Sequence, residues 1–543
     1  MTTIIYGIVD FIALKYRPAA VIFVVLPLSA LLRTVEKNKL RLKALKNVYS
    51  TPEQRHEARA ERVAKDIQNR KDVDKKICTS RSPFASFSMR FSDYKKKAHQ
   101  VYVGDFDEII KVNEQDLTIK VEPLCTVGQI TDYLVHKKQM MMCTTLEVKD
   151  ATIGGLAMAV AMTTSSHKYG LLQETVLEYE VILSNGQIVK ATRDNEYSDL
   201  FHAIPFSHGS LCLLISLTLK CCRVKPYVKV TYEPFVNFQQ SAQRIRELAR
   251  YEPKEESSDF IEATLFSRTH SVVMNGRFAD YTRDLPVNHV GAWYAKWFYT
   301  RVRDIIDAKD LKVVEELVPT FEYIFRHDRA IFWTLKDMLP EWIGNNVLFR
   351  YLLGWMLPPK IFMLKFPAFT PRLRQEMRTE RVYQDIVLPL CVLEDAVEKG
   401  GSEFEIWPIL VYPSLVVDHG LGKRGIFPTR SVRNLSPPED ICDFNGGKAA
   451  LFFDLGVYGI PHQIKKGMKN FDGVKALRNM EKFTTSVGGA PFLYADTFMS
   501  PKEFLETFDL ELYEKVREKY NCKQAFFDLY EKTTSFQPGD DLK

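Results

Sequence analysis

The stretch TIGGLAMAVAMTTSSHKYG, Thr152 to Gly170, constrains this chain more than any other. It joins two adjacent glycines to a run of small and hydroxyl side chains and closes on a polar HKYG. Main chain without bulk can approach a large anionic ligand, and its N–H groups can point at phosphate oxygens. The hydroxyls of Thr163, Thr164, Ser165 and Ser166 add donors at the same place. A second block, SDLFHAIPFSHGSLCLLISLTLK, runs from Ser198 to Lys220. Between the two lies VILSNGQIVKAT, which reads as a hairpin with Asn185-Gly186 as the positive-φ pair of its turn. Ser198 to Phe206 reads as a helix capped at Ser198 and Asp199, and LCLLISLTLK as a buried strand.

The N-terminus sets a second constraint. Ala19 to Leu32 reads AAVIFVVLPLSALL, which covers roughly 21 Å of a ~30 Å hydrocarbon core. Extending back to Phe11 gives about 33 Å and includes Lys15 and Arg17, whose long stems can reach the headgroups. Arg33, Lys37, Lys39, Arg41, Lys43 and Lys46 follow the apolar run, an excess that favours keeping the C-terminal part in the cytosol. A cleaved secretory signal is the rival reading, although no clear A-x-A site follows. Residues 33–76, charged and without glycine, read as an exposed helix or pair of helices joining membrane to body.

A chain of 543 residues suggests two or three domains. Its net charge of +6 comes with basic and acidic residues intermixed and no basic stripe, so nothing points to nucleic acid. The nine cysteines lack CxxC spacing and read as reduced core thiols; no Cys or His pair has ligand spacing, so no metal site is expected. Short strands and the helical VGQITDYLVHKKQ after about Lys76 indicate an α+β organisation. Beyond about Pro226 the composition shifts, and all six Trp fall between Trp293 and Trp407. That density suits either a pocket for a bulky apolar ligand or a core built from aromatics. The Gly-Gly pairs at 400–401, 446–447 and 488–489 read as turns.

The two blocks, with the hairpin between them and no GxGxxG anywhere, resemble the FAD-binding domain of vanillyl-alcohol-oxidase (PCMH)-type flavoproteins. More narrowly, VEPLCTVGQIT, TIGGL with SSHKYGL, YSDLF, YVKVTYEP, IFW, FRYLLGWMLPPK, LYADTFM and YEKVREKYNCKQAF are similar to the Δ24-sterol reductase (Diminuto) family, from about residue 20 to 530. The resemblance implies an α+β fold with three parts. These are a membrane anchor and basic flank (1–46), a two-subdomain FAD-binding domain (47–225), and an α+β substrate or cap domain (226–543) whose C-terminal segment returns to the flavin. It further implies noncovalent FAD, NADPH as electron donor, and reduction of the C24–C25 double bond of sterol side chains in sterol biosynthesis. The protein would sit in the endoplasmic reticulum membrane by a single N-terminal anchor, with its catalytic part facing the cytosol.

The flavin contacts implied are Thr152, Ile153, Gly154, Gly155, Leu156, Ala157, Met158, Ala159, Val160, Ala161, Met162, Thr163, Thr164, Ser165, Ser166 and His167, with Gly209 in the later loop. His167 reads either as a hydrogen-bonded residue that fixes the turn or as a direct flavin contact. The chain departs from the family where a GTG-rich loop is expected: it has Ala159, Val160 and Ala161, and Thr163 replaces an acidic residue. A GRPG-like loop is SRSP here, with Arg81 kept. An isolated alkene has no carbonyl to polarise, so the implied reaction needs a proton donor, a dry apolar channel and a hydride source. Tyr494 and Asp496 of LYAD are the candidate donor and its assisting carboxylate, or else a backbone-tied Tyr and a helix cap. Tyr351 to Phe369 reads as a sterol entrance, a bilayer contact or a core helix. Two other functions stay open: a flavin-dependent alcohol oxidase of the same fold, and a nonenzymatic sterol-binding scaffold with a weakened FAD site.

Overall fold

The computed structural model describes the chain except residues 1, 47–48, 87, 89–92, 251, 254–255, 366–369, 469–470 and 538–543. Parts of the expected strand pattern before Phe91 and the end of the Tyr351–Phe369 stretch therefore lie outside the described residues. Two large sheets organise the molecule. The first has six strands, with Leu213–Arg223 at its centre between Thr118–Val121 and Val176–Ile182. Ile109–Asn113 and Ile188–Ala191 form its edges, and Met140–Met142 pairs with the far end of the long strand. The apolar run in Leu213–Arg223 is what a strand covered on both faces requires.

The second sheet has nine strands and is antiparallel throughout. Its middle is formed by Phe260–Leu265, Ile409–Asp418, Gly447–Gly459 and Val382–Pro389 in that order. The period of two sorts their side chains cleanly. Ile386, Val411, Phe453 and Leu455 pack with the helices Phe238–Arg250, Leu393–Phe404 and Gly473–Ser486 in one core. Asp385, Leu410, Tyr412, Asp454 and Tyr458 face the other way, into a cavity. A small parallel pair, Ile77–Thr79 with His99–Val101, completes the strands among the described residues.

Several local expectations change. The hairpin pairs Ile182 with Ile188, but only Gly186 has positive φ (83°). Asn185 instead accepts the Gln187 N–H through its side chain at 2.9 Å, an Asx turn in a five-residue loop. The helix after it is shorter than expected, Ser198–Ala203, and carries no side-chain cap. Ser198 donates to the Arg193 carbonyl, and Asp199 is held by Lys519 and Tyr520. Helix Pro52–Gln68 is not simply exposed: His56, Ala60, Val63, Ala64 and Ile67 are buried. Gly400 and Gly401 lie inside helix Leu393–Phe404 rather than in a turn, whereas Gly446 (φ 78°) and Gly488 (φ 76°) do make turns.

The N-terminal helix Arg17–Lys43 is long and apolar enough to cross a membrane. It is also docked along the body. Arg17 pairs with Glu376 at 3.1 Å, the Ser29 hydroxyl accepts the Lys360 N–H at 2.9 Å, and Arg33 donates to the carbonyls of Met356 and Pro358. Lys43 reaches Asp107 and Glu108. A helix read from sequence as a tether is thus also a structural wall.

Candidate flavin and substrate cavity

A cavity of about 770 Å³ is lined from both large sheets and from the N-terminal helix, a size typical of small-molecule sites. Three kinds of wall surround it.

The first wall is the glycine stretch. Thr152, Gly154, Gly155, Leu156, Met158, Ala159, Val160, Ala161 and Met162 line the cavity, as does Gly209. The two glycines do different things. A Cβ on Gly154 would come within 2.3 Å of Pro123 Cβ, so that residue is a close-packing position. A Cβ on Gly155 would meet only Thr152 Oγ1 at 3.1 Å and Arg81 Nη1 at 4.0 Å, so Gly155 is the one that keeps space open. Val160, where a glycine would be at ease, adopts φ 69°, ψ 157°.

The rest of the stretch is turned inward, a correction to the expected contacts. Ile153 and Ala157 are core residues. Thr163, Thr164, Ser165, Ser166 and His167 are buried and do not line the cavity. Ser165 Oγ donates to the Cys143 carbonyl at 2.8 Å, Thr163 and Ser165 share a hydroxyl bond at 3.0 Å, and Ser166 Oγ accepts the Thr163 N–H at 2.9 Å. Thr164 offers its carbonyl to the Ile261 N–H at 2.9 Å. His167 bonds the carbonyls of Thr164 (3.1 Å) and Ser258 (2.7 Å), the turn-fixing role of the two weighed for it. The N–H groups of Ile153 and Gly154 are likewise taken, by Cys125 and Pro123. These bonds satisfy groups in the buried helices and turns of this stretch, where main chain left unpaired is costly.

What the hydroxyls do not supply, cations do. Arg81 lines the cavity and donates to Thr152 Oγ1 at 3.0 Å and to the Ala85 carbonyl at 2.7 Å. Lys95 lines it too, and its ammonium bonds the Thr79 and Arg81 carbonyls at 3.1 and 2.8 Å. All these acceptors are neutral, and burial lowers the pKa of both cations. Lys532 stands close by, donating to the Gly209 carbonyl at 3.1 Å. Two half-buried positive charges held by neutral partners form a site for an anion. The diphosphate of FAD fits it: Arg81, Lys95, Gly155 and Gly209 would hold that group.

The second wall is the inner face of the nine-stranded sheet. Asp385 accepts from both the Tyr458 and the Tyr494 hydroxyls. Asp454 is close enough for the two carboxyls to share a hydrogen bond; burial first, and then Asp385, hold Asp454 protonated far above the ordinary carboxyl range. Burial raises the Asp385 pKa as well. Gly456 makes this arrangement possible, since a Cβ there would lie 2.8 Å from the Tyr458 hydroxyl. Tyr412 is directly opposite Asp454 in the ladder. Tyr412 Oη and Asp454 Oδ1 are buried without a hydrogen-bond partner among the described residues, and so are both Glu147 carboxylate oxygens, one of which stands 3.9 Å from the Arg326 guanidinium as an ion pair. Tyr412, Asp454 and Glu147 line the cavity, and burial pushes the Glu147 pKa up to about 7. Orphaned donors and acceptors of this kind call for a polar ligand edge, which the flavin ring would provide.

Tyr494 is therefore placed at the cavity, but Asp496 is not its partner. The Asp496 carboxylate accepts from Ser535 at 2.6 Å and does not line the cavity. The chain turns at residues 493–495 on leaving the sheet edge, so the period of two that would put Tyr494 and Asp496 on one face of a strand does not hold there. The carboxylates at Tyr494 come instead from strands Val382–Pro389 and Gly447–Gly459. Asp385, Asp454 and Tyr458 were missed, although an Asp amid the apolar FFDLGVYG and QDIVLPL runs is a readable signal of a buried acid.

The third wall is apolar. Val21, Val24 and Val25 of the N-terminal helix line it together with Leu335, Met338 and Leu364.

The sequence matches the family model described as an FAD binding domain over residues 87–192. It is 35% identical over 532 residues to a protein of Pisum sativum named Delta(24)-sterol reductase, covering 95% of this chain and 91% of that one. The Homo sapiens protein of that name is 34% identical over 479 residues, covering 88% and 86%. A Caenorhabditis elegans homolog is 32% identical over 537 residues, covering 96% and 95%.

Proposed function

The chain belongs to the Delta(24)-sterol reductase family, and we propose that it reduces the C24–C25 double bond of a sterol side chain with FAD in the cavity described above. The observation that carries this reading is one cavity holding an anion-binding wall, a buried acid–tyrosine cluster and an apolar wall. When bound, FAD supplies the hydride, and NADPH reloads it. The reading further places the protein at the endoplasmic reticulum membrane with its catalytic part in the cytosol.

The chain's own residues contribute three things. Arg81 and Lys95 neutralise the diphosphate, and Gly155 leaves room for it. The apolar wall excludes water, so a proton placed on carbon is not lost to solvent. The acid–tyrosine cluster holds the proton that C24 must receive. Asp454 stores it, Asp385 links the two tyrosines, and the Tyr494 hydroxyl carries it to the alkene as the cluster resupplies it. Protonation at C24 leaves cationic character at C25, the tertiary carbon, where a hydride from bound FAD would be accepted. General-acid contributions of this kind are worth roughly 10² to 10⁴ in rate.

The test separates the two half-reactions. Full-length protein with FAD is reduced anaerobically by NADPH and mixed with a Δ24 sterol. Bleaching near 450 nm followed by sterol-dependent return of the band is expected. Asp454→Asn and Tyr494→Phe should slow the return by about 10² or more; Tyr494→Phe should leave the bleaching rate unchanged, and Asp454→Asn should change it far less than the return. A return rate equal to wild type in both variants would remove the cluster as the proton source; no sterol-dependent return in wild type would remove the function.

A further inference from the structure

Large apolar side chains face outward in two stretches far apart in the chain. On the outer side of the N-terminal helix, Phe23 is 77% exposed. In and beside helix Val347–Leu353, Trp342 is 77%, Leu348 71%, Leu352 67% and Trp355 58% exposed. The two stretches are locked together by the Arg33 bonds to Met356 and Pro358 and by the Ser29–Lys360 bond. The Lys360 ammonium adds an ion pair to Glu36 at 2.8 Å.

The second stretch is built to stay in place. Arg329, buried, donates to the carbonyls of Ala292, Trp293 and Ala295 at 2.6 to 2.7 Å and so fixes the loop behind it. Gly354 lies so close to that loop that a Cβ would sit 2.5 Å from the Trp293 carbonyl. Tyr294 and Tyr351 stack at 5.5 Å. The Trp355 indole donates to the Leu352 carbonyl at 3.1 Å, so its exposed ring asks nothing of water. A rigid, outward apolar face of Leu and Trp bordered by Tyr suits a lipid interface. It is continuous with a helix that is long and apolar enough to cross a membrane. The inner side of that helix lines the cavity.

We propose that the outer side of the N-terminal helix and the Trp342–Trp355 stretch form one bilayer-docking face, which seats the cavity wall against lipid so that an apolar substrate passes to it without crossing water. The substrate part of this statement rests on the proposed sterol reduction; the docking part does not. Bilayer contact is continuous across the two stretches. It does not end at the N-terminal helix.

The experiment uses full-length protein in phosphatidylcholine vesicles with acyl chains brominated at defined depths, without sterol. Bromolipids quench the tryptophan emission of wild type, and Trp342→Phe/Trp355→Phe loses most of that quenching, Trp293, 45% exposed beside Tyr351, keeping the remainder. Equal quenching in both, or none in wild type, overturns the proposal. Leu348→Glu/Leu352→Glu, which changes exposed residues outside the cavity, should raise the KM for vesicle-borne Δ24 sterol about tenfold or more while leaving KM in detergent micelles and the flavin band unchanged. An unchanged vesicle KM overturns the proposal. If that double variant instead turns a dimer into a monomer in detergent and wild-type quenching is absent, the face is an interface between copies. Failure of sterol turnover alone leaves the quenching result intact and falls on the function, not the face.

Discussion

Val160 sits in a backbone region nearly reserved for glycine, in the part of the loop where glycines were expected and are missing. Holding a β-branched residue there costs about 1–3 kcal/mol. Val160→Gly removes that strain but also loses a buried side chain and adds backbone entropy, terms of similar size and opposite sign. The expected outcome is a nearly unchanged Tm in thermal unfolding, where an ordinary buried Val→Gly would cost several degrees. The neighbouring glycines separate in the same way. Gly154→Ala collides with Pro123 and should lower stability by about 1–3 kcal/mol, read by denaturant titration. Gly155→Ala should leave stability alone and weaken FAD, read by flavin release on dilution. At this scale the sequence pointed to glycines that line the cavity, as Gly155 and Gly209 do. It was not legible where side chains find partners far along the chain. The hydroxyls of Thr163, Ser165 and Ser166 looked like ligand donors because nothing local shows that the Cys143 carbonyl and the turn itself consume them. Asp496 looked like the partner of Tyr494 because it is two residues away, whereas Asp385 is joined to it only by sheet pairing.

Among elements, helix Pro52–Gln68 shows how a charged stretch can be mistaken for a solvated one. Its sequence is polar, yet His56 is buried between Glu122 (2.8 Å) and Glu180 (3.2 Å), and Arg59 reaches Glu122 at 2.8 Å. Burial alone would lower the His56 pKa, but the two carboxylates outweigh it and the net shift is upward. A raised folded-state pKa means that His56 stabilises fully below its unfolded value near 6.5 and loses that contribution as pH rises through the folded value. Wild type should therefore lose Tm between pH 6.5 and 9 by more than His56→Gln does, measured by differential scanning calorimetry. The central strand was readable from its apolar run, Leu213–Arg223, and the hairpin from two apolar runs about Asn185-Gly186. The turn type was not, since Asn185 acts through its side chain rather than through positive φ.

The whole molecule is a cavity closed by three walls that the chain visits at different times. The fold class was legible because two local blocks and a hairpin stand in a fixed order. The role of the N-terminal helix was only half legible: composition reveals a membrane-type helix, but not that Val21 and Val24 line the cavity. Filling that wall tests the point. Val21→Trp should raise the KM for Δ24 sterol by about tenfold or more in detergent, as overpacking by 1–3 kcal/mol implies, with NADPH-driven flavin bleaching unchanged. A normal KM would show that substrate does not touch the helix.

Arg33 and its acceptor Met356 are 323 residues apart. At a ribosomal pace of about 5–20 residues per second, the helix waits roughly a quarter of a minute to a minute for the segment that completes its seat. The helix is made long before the segment that encloses it, so during synthesis its greasy surface needs a temporary host. The cavity exists as a closed space only once the chain has been made as far as Lys532, the last residue that lines it.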